Sequence, residues 1–445
     1  MDSGKRRRVA VTGLGIISPI GNDVATFWSN LKAGVSGAGP VTHFDASRLE
    51  SRIACEVKGF EPGLYMESKE ARKMALFSQY AVAAAVQAWR DAGMEGEAAA
   101  EEGPAIGVGD GGDGDSPHWK APYPAGRIGI VLGNGIGGLE ICTESHRKLF
   151  ESGPGRMLPM TVPLMIANEA AGNVAIRLGV KGPALTAVTA CASGTDALGQ
   201  ALDLIRAGRC DAVLAGGTEA AIAEFAMGGF CRLKALSTGF NDRPTEASRP
   251  FDVDRDGFVI GEGAAVLLLE DWDRAKERGA TIYAEFAGYG ASCDAYHLTA
   301  PDPTGQGGAA AMVSALEDAE LAPEAIDYYN AHGTSTKIND PVETQMLKLA
   351  FGEHARKLKI SSTKSMIGHC IAAAGAIEAL VCVKSVQEGF VPPTINLQKP
   401  DLAEGCDLDY TPNQGLSLPV RAAASGSLGF GGHNSVIIMR KAGER

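Results

Sequence analysis

Short apolar runs recur along the chain: "RVAVTGLG", "RIGIVLGN", "ALTAVTA", "DAVLAGG", "AAVLLLE", "LKISST" and "NSVIIM". None alternates strictly between apolar and polar positions, which is the pattern of strands buried on both faces. Between them lie stretches with helical spacing. "KEARKMALFSQYAVAAAVQAWRDAG" and "AAAMVSALEDAELA" are the clearest. Strands alternating with helices predict a layered α/β architecture. Two strand–turn–helix units look alike, "ALTAVTACASGTDALGQALDLIRAG" and "LKISSTKSMIGHCIAAAGAIEALVCVKSV". Each passes from a buried strand through a polar turn into an Ala-rich helix. A duplicated half is therefore expected. The chain is divided into a unit spanning 1–272 and a unit spanning 273–445, with their junction near residues 272–282.

Composition narrows the class. The 445 residues are 45% hydrophobic, enough for a large core, and include 57 glycines. The net charge of −12 disfavours nucleic acid or an anionic membrane as a general partner. Nine cysteines are scattered and never spaced as CxxC. That points away from a disulfide framework or thiolate zinc site and towards a reducing compartment, the cytoplasm. The start, "MDSGKRRRVAVTGLG", is basic but lacks the apolar stretch of a signal peptide, and no eighteen-residue apolar run predicts a membrane span. Residues 95–126 are rich in Gly, Pro and acid and read as a mobile surface loop; their Asp/Gly spacing lacks a full calcium-loop pattern.

Cys191 follows an apolar strand and precedes a helix that Gly208 would end. A thiol at a helix N-terminus meets free backbone N–H groups and the positive end of the helix dipole, which favour a thiolate and can hold an oxyanion. An isolated cysteine is more often a buried packing residue. Two histidines change that balance. His332, in "YYNAHGTSTKINDPVE", follows a short apolar strand. His369, in "ISSTKSMIGHCIAAAGAIEAL", stands five residues after Lys364, with Glu378 nine residues beyond. Together they supply a nucleophile and two imidazoles from different units. The glycine-rich "SGSLGFGGHNS" would bring backbone N–H groups close to a reacting centre. Lys69, Arg72 and Lys73 sit at i, i+3, i+4 spacing on a helix predicted through "SKEARKMALFSQY", which on its own reads as a solvated face.

The motifs "TACASG", "NAHGTST", "KSMIGH" and "GFGGHN", in this order, resemble those of the β-ketoacyl-acyl carrier protein synthases, most closely the type II elongating enzymes. The likeness runs from "VAVTGLGIISPIGN" through "SRPFDVDRDGFVIGEGAAVLLLE" to "VPPTINL". It implies a thiolase-like fold, with two similar halves in an αβαβα arrangement, and a homodimer that needs neither cofactor nor metal. It also implies decarboxylative Claisen condensation of acyl- and malonyl-carrier protein in fatty-acid elongation. Under that resemblance Cys191 takes the acyl chain, His332 and His369 act on the malonyl thioester, and Lys364 tunes them with Glu378 behind it. The N–H groups of Cys191 and Phe430 form the oxyanion hole. Thr334 and Thr336 bind the pantetheine arm, Phe430 gates the acyl pocket and Ile136 limits chain length at the dimer interface. Lys69, Arg72, Lys73 and Lys234 dock the acidic carrier protein.

The resemblance is incomplete. Gly426 and Leu428 stand where the family usually has Asn and Phe, and His433 replaces a common Thr. A thiolase would carry a second cysteine near "GFGGHN", and none is there. A non-catalytic chain-length partner would lack the active thiol. A polyketide ketosynthase is the nearest alternative. A nicotinamide-binding reading of "VTGLGIISPIG" lacks both the GxGxxG spacing and a following acid.

Overall fold

The computed structural model describes residues 6–94 and 121–443. The 95–126 segment singled out above lies outside them as far as residue 120. Ten strands form one sheet. β1 (Val9–Ile17), β2 (Ile128–Gly133), β3 (Ala184–Ala187), β4 (Ala212–Glu219) and β5 (Gly263–Asp271) come from the first part of the chain. β6 (Ala284–Cys293), β7 (Tyr328–Asn330), β8 (Lys359–Ser361), β9 (Ala422–Gly429) and β10 (His433–Lys441) come from the second. Their spatial order is β8-β7-β9-β10-β6-β1-β5-β4-β2-β3. The central pair, β1 and β6, meets through two residue pairs, Ala10–Glu285 and Val11–Ala284. Each five-stranded half repeats one plan: its first strand pairs antiparallel with its fifth, the fifth antiparallel with the fourth, the fourth parallel with the second, and the second parallel with the third.

Six helices complete the layers: α1 (Leu76–Asp91), α2 (Glu169–Leu178), α3 (Ser193–Arg206), α4 (Gln306–Ala319), α5 (Asn339–Phe351) and α6 (Ala374–Glu388). The unbroken apolar runs are explained by two cores meeting the inner strands; β3, expected to be buried on both faces, is instead an edge strand with Ala184 and Leu185 exposed. Along β5, Ala265, Leu267 and Leu269 join a central core with α3 and α6, while Ala264, Val266 and Leu268 join an outer core with α1 and α2. In the second half, Ile437 and Met439 face the centre, and Val436 and Ile438 face α4 and α5. This is the αβαβα arrangement of a thiolase-like fold. α6 is the most buried of these helices, with 12 of its 15 residues buried, so it lacks the polar face of a surface helix.

Small residues set the close approaches. A Cβ at Gly13 or Gly15 of β1 would collide with the backbone of α1 at Ala88 and Ala84. A Cβ at Gly288 or Gly290 of β6 would collide with α4 at Ala315 and Ala311 in the same way. The basic N-terminus joins the halves: the Arg8 guanidinium forks onto Glu285 at 2.8 and 2.6 Å and lies 3.8 Å over the Trp272 ring. Among the described residues no helix is long and apolar enough to cross a membrane.

One predicted helix is broken. "KEARKMALFSQY" forms a short helix, Ser68–Ala71, then an extended residue, Ala75, and then α1. The Gln79 amide donates to the carbonyls of Ala71 and Met74, at 2.9 and 3.0 Å, so the break leaves those groups satisfied. Lys69, Arg72 and Lys73 are exposed; Lys69 lies in the short helix, Arg72 caps its C-terminus and Lys73 follows in the turn, ahead of the break at Ala75.

Candidate active site

Cys191 lies in a single 3₁₀ turn, Ala190–Ala192, between β3 and α3. The turn is held from below. Ser193 Oγ accepts from Thr189 N at 2.9 Å and donates to Ala190 O at 2.6 Å. Asp196, in the first turn of α3, accepts from the Thr189 hydroxyl and, at 2.8 Å, from the Tyr289 phenol. The second half repeats the turn at Ile371–Ala373, just before α6. Ala190 and Ile371 both have positive φ, 51° and 47°. The two turns touch across the centre, where a Cβ at Gly194 would stand 2.6 Å from Ala372 O.

The histidines arrive on two other turns, each fixed by a glycine. His332 follows β7, and Gly333 beside it has φ of 35°, with no room for a Cβ against Ser362. Glu343 on α5 accepts from the His332 and Gly333 amides, both at 2.7 Å. His369 follows the short helix Lys364–Ile367 through Gly368, at φ 67°. Its amide donates to Val259 O at 2.7 Å and its carbonyl accepts from Gly261 N at 2.9 Å. The rings stand perpendicular, with centroids 5.2 Å apart, and Phe258 packs edge-on to His369 at 5.3 Å. Lys364 and Glu378 form an ion pair in which neither side chain is more than 1% exposed.

Cys191, His332 and His369 line one cavity of about 430 Å³, together with Ile136, Lys234, Thr334, Thr336 and Phe430. The Thr334 and Thr336 hydroxyls are 3.0 Å apart. Phe430 and Leu428 come from the end and turn of the β9–β10 hairpin, and Lys234 is exposed at the mouth. Lys69, Arg72 and Lys73 are not among the lining residues. Several residues of the site carry no motif of their own: Glu343, Phe258 and Phe230, which packs on Phe258 at 5.4 Å. Glu219 belongs with them. It accepts from Gly135 N at 2.9 Å and also from the Ile136 and Ala372 amides, tying the pocket wall to both halves.

The electrostatics correct the expectation that the helix end keeps the sulfur anionic. Burial pushes the Cys191 thiol up, to about 11. The Lys364 charge and the N–H groups of Phe430 and Cys191 oppose that rise, and the Glu219 carboxylate adds to it. Desolvation outweighs the dipole here because the side chain is buried against a mostly apolar lining. Burial, aided by the Lys364 charge, holds both His332 and His369 well below the usual imidazole range. Both rings are therefore neutral at pH 7, and each keeps one N–H to donate and one lone pair to accept.

The pocket is set in a chain whose relatives are clear. Residues 6–275 match the model of the β-ketoacyl synthase N-terminal domain, and residues 283–398 match that of the C-terminal domain. The chain is similar to the 3-oxoacyl-[acyl-carrier-protein] synthase 2 of Coxiella burnetii, 44% identical over 98% of this chain and 99% of that one. It is 46% identical to the protein of the same name from Synechocystis sp., over the same shares of each chain. Among solved structures it is similar to the ishigamide ketosynthase/chain length factor, with a TM-score of 0.87 and 36% identity over 99% of this chain and 100% of that one.

Proposed function

The chain belongs to the β-ketoacyl synthase family, and from that premise we infer that it is a condensing acyltransferase of fatty-acid elongation. It joins an acyl-carrier protein to a malonyl-carrier protein, releasing CO2 and giving the 3-oxoacyl-carrier protein two carbons longer. The observation that carries this reading is the cavity itself: one thiol, two neutral imidazoles and two backbone N–H groups share about 430 Å³.

The residues divide the chemistry as follows. The Cys191 sulfur attacks the acyl thioester and its proton leaves through a neutral imidazole to the departing carrier thiol. The sulfur need not be anionic beforehand, since a base lies within the same pocket. The malonyl thioester then enters along Thr334 and Thr336. His332 and His369 donate N–H to its carbonyl oxygen, so the electron pair released with CO2 is held as an enolate. The enolate carbon attacks the acyl-Cys191 carbonyl. The N–H groups of Cys191 and Phe430 hold the oxyanion until the C–S bond breaks and the thiol is restored with one proton from solvent. Lys364, balanced by Glu378, keeps the imidazoles neutral and lowers the cost of the sulfur anion. Ile136 and Phe430 bound the acyl chain, and Lys69, Arg72, Lys73 and Lys234 attract the acidic carrier.

The working unit is a homodimer. β3 is one edge of the sheet, and Leu185 and the adjoining Val188 are 44% and 58% exposed. An exposed apolar edge is a template for pairing with another strand. Ile176 on α2, the helix that packs against β3, is exposed as well. All nine cysteines are free thiols, as a reducing cytoplasm would keep them. The polyketide and chain-length-partner readings are less well supported, because identity to the ketosynthase/chain length factor structure is lower than to the synthase relatives.

Incubation with acyl- and malonyl-carrier protein, followed by mass spectrometry, tests the reading. The expected result is a 3-oxoacyl product and an acyl adduct on Cys191. Cys191→Ser should not condense, whereas Cys191→Gln should still release CO2 from malonyl-carrier protein. Normal elongation by Cys191→Ser would overturn it.

A further inference from the structure

Gly426 is the departure that the family resemblance leaves without a role. Its surroundings explain it. A Cβ at this position would collide with the phenol oxygen of Tyr329 on the neighbouring strand. β9 and β7 are paired in register, with Ala424 opposite Tyr329 and Ser425 opposite Asn330. The Tyr329 ring therefore lies across the face of β9 that only a glycine leaves open. Its hydroxyl reaches outward and donates to Glu343 Oε1 at 3.0 Å. Tyr329 and Glu343 are both fully buried.

Glu343 is the group that holds the His332 turn. Its Oε1 accepts from His332 N and its Oε2 from Gly333 N, and the Asn339 amide approaches Oε2 at 3.4 Å. Asp340 and Lys364 are the charged groups acting on it. The carboxylate stands on α5 while the turn it grips leaves β7, so its aim depends on what fixes it laterally. Tyr329 supplies that contact from the strand leading into His332.

We propose that Tyr329 is a positioning residue for His332, acting through Glu343, and that Gly426 is glycine in order to admit its phenol. The pair replaces a side-chain donor at position 426 with one delivered from position 329. This rests on the proposed function, since His332 matters only if the pocket condenses. Loss of the phenol should relax the His332 turn without moving the Cys191 turn, because the hydrogen bonds of Glu343 go to Tyr329, His332, Gly333 and Asn339, and the His369 imidazole remains to carry the Cys191 proton. A buried carboxylate that loses a donor also loses part of what fixes its orientation.

The test is a set of variants read on two partial reactions. Tyr329→Phe should lower kcat for CO2 release from malonyl-carrier protein about ten- to 150-fold, the worth of one hydrogen bond to a charged group. KM for that substrate and the single-turnover rate of Cys191 acylation should stay within twofold. Tyr329→Val and Gly426→Asn should each be poor in CO2 release. The double variant Tyr329→Val/Gly426→Asn should recover most of it, since the Asn amide then fills the space and the donor role of the phenol. Unchanged CO2 release in Tyr329→Phe, equal loss in both partial reactions, or a double variant no better than its worse parent would each overturn the proposal. A parent protein inert in both partial reactions would instead sink the proposed function, and this inference with it.

Discussion

The Lys364–Glu378 pair can be taken apart so that its structural and chemical uses separate. Its side chains are 1% and 0% exposed. Glu378→Leu leaves an ammonium ion buried without a counter-charge, which costs about 3–5 kcal/mol of stability. Lys364→Met is milder. Burial already raises the Glu378 carboxyl to about 7, so without the ammonium it takes up a proton near neutrality. It then remains a neutral group with an unmet hydrogen bond, at about 1–3 kcal/mol. Replacing both by Met and Leu removes the charges together, and the double variant should lie within about 1 kcal/mol of the parent. The two single effects thus sum to about 4–8 kcal/mol, and about 3–7 kcal/mol of that is coupling between the partners. Urea midpoints at one protein concentration measure it. Condensation should be lost in both variants that lack Lys364, because the Lys364 charge is the largest of the influences holding the Cys191 thiol down. Single effects that simply add in the double variant would refute the pairing argument. A double variant that condenses at the parent rate would refute the chemical role.

Three further outcomes follow from the same geometry. Arg72→Glu should raise KM for acyl-carrier protein severalfold while leaving acyl transfer from short thioesters unchanged; equal losses on both substrates would count against docking at that patch. Alkylation of Cys191 by iodoacetamide should climb about tenfold per pH unit from 7 to 10, since the reactive thiolate is scarce below about 11; a plateau near pH 8 would show a preformed anion. Burial raises Glu219 from 4.5 to about 8, so the folded chain holds a proton there that the unfolded chain has lost above 4.5. Its stabilising contribution is full below 4.5 and declines as pH rises to about 8, by at most about 1.4 kcal/mol per unit. Glu219→Gln should reduce the fall of urea midpoints between pH 6 and 8, to which Glu262, Glu343 and Glu378, each raised to about 7, also contribute, and an unchanged slope would place the proton elsewhere.

The strands legible in the sequence were those rich in Val, Ile and Leu. β6, "AEFAGYGASC", and β9, "AAASGSLG", carry almost no β-branched residues, and nothing local marks them as sheet. They are strands because of what crosses them. β6 needs Gly288 and Gly290 to let α4 approach, and β9 needs Gly426 to let Tyr329 pass. The same logic settles the "VTGLG" of β1. Its glycines face Ala84 and Ala88 of α1 and make room for a helix, where a nicotinamide reading would have them face a phosphate. The interruption at Arg72–Ala75 was invisible for a related reason. Helical spacing persists across it, and the side chain that caps it, Gln79, acts from the following helix.

The candidate site divides along the same line. Cys191, His332 and His369 are chemically rare in their settings and stand at recognisable strand–turn junctions, and the family resemblance of the four ordered motifs gave them and Lys364 their roles. The carboxylates that aim them are common residues within ordinary helical or strand patterns. Glu343 sits mid-helix eleven residues beyond His332, and Glu219 ends a strand. Their roles arise from burial, which no local pattern encodes, because each becomes an anchor only when another part of the chain brings amides to it. Burial also reversed the expectation, drawn from the sequence, of an anionic sulfur at Cys191. The helix end was correctly read at Cys191, but the same packing that makes the pocket dry costs the sulfur its charge. A pocket dry enough to hold an enolate is too dry to store a thiolate, so the proton on Cys191 must move during acyl transfer, and neutral imidazoles are what the site supplies to move it.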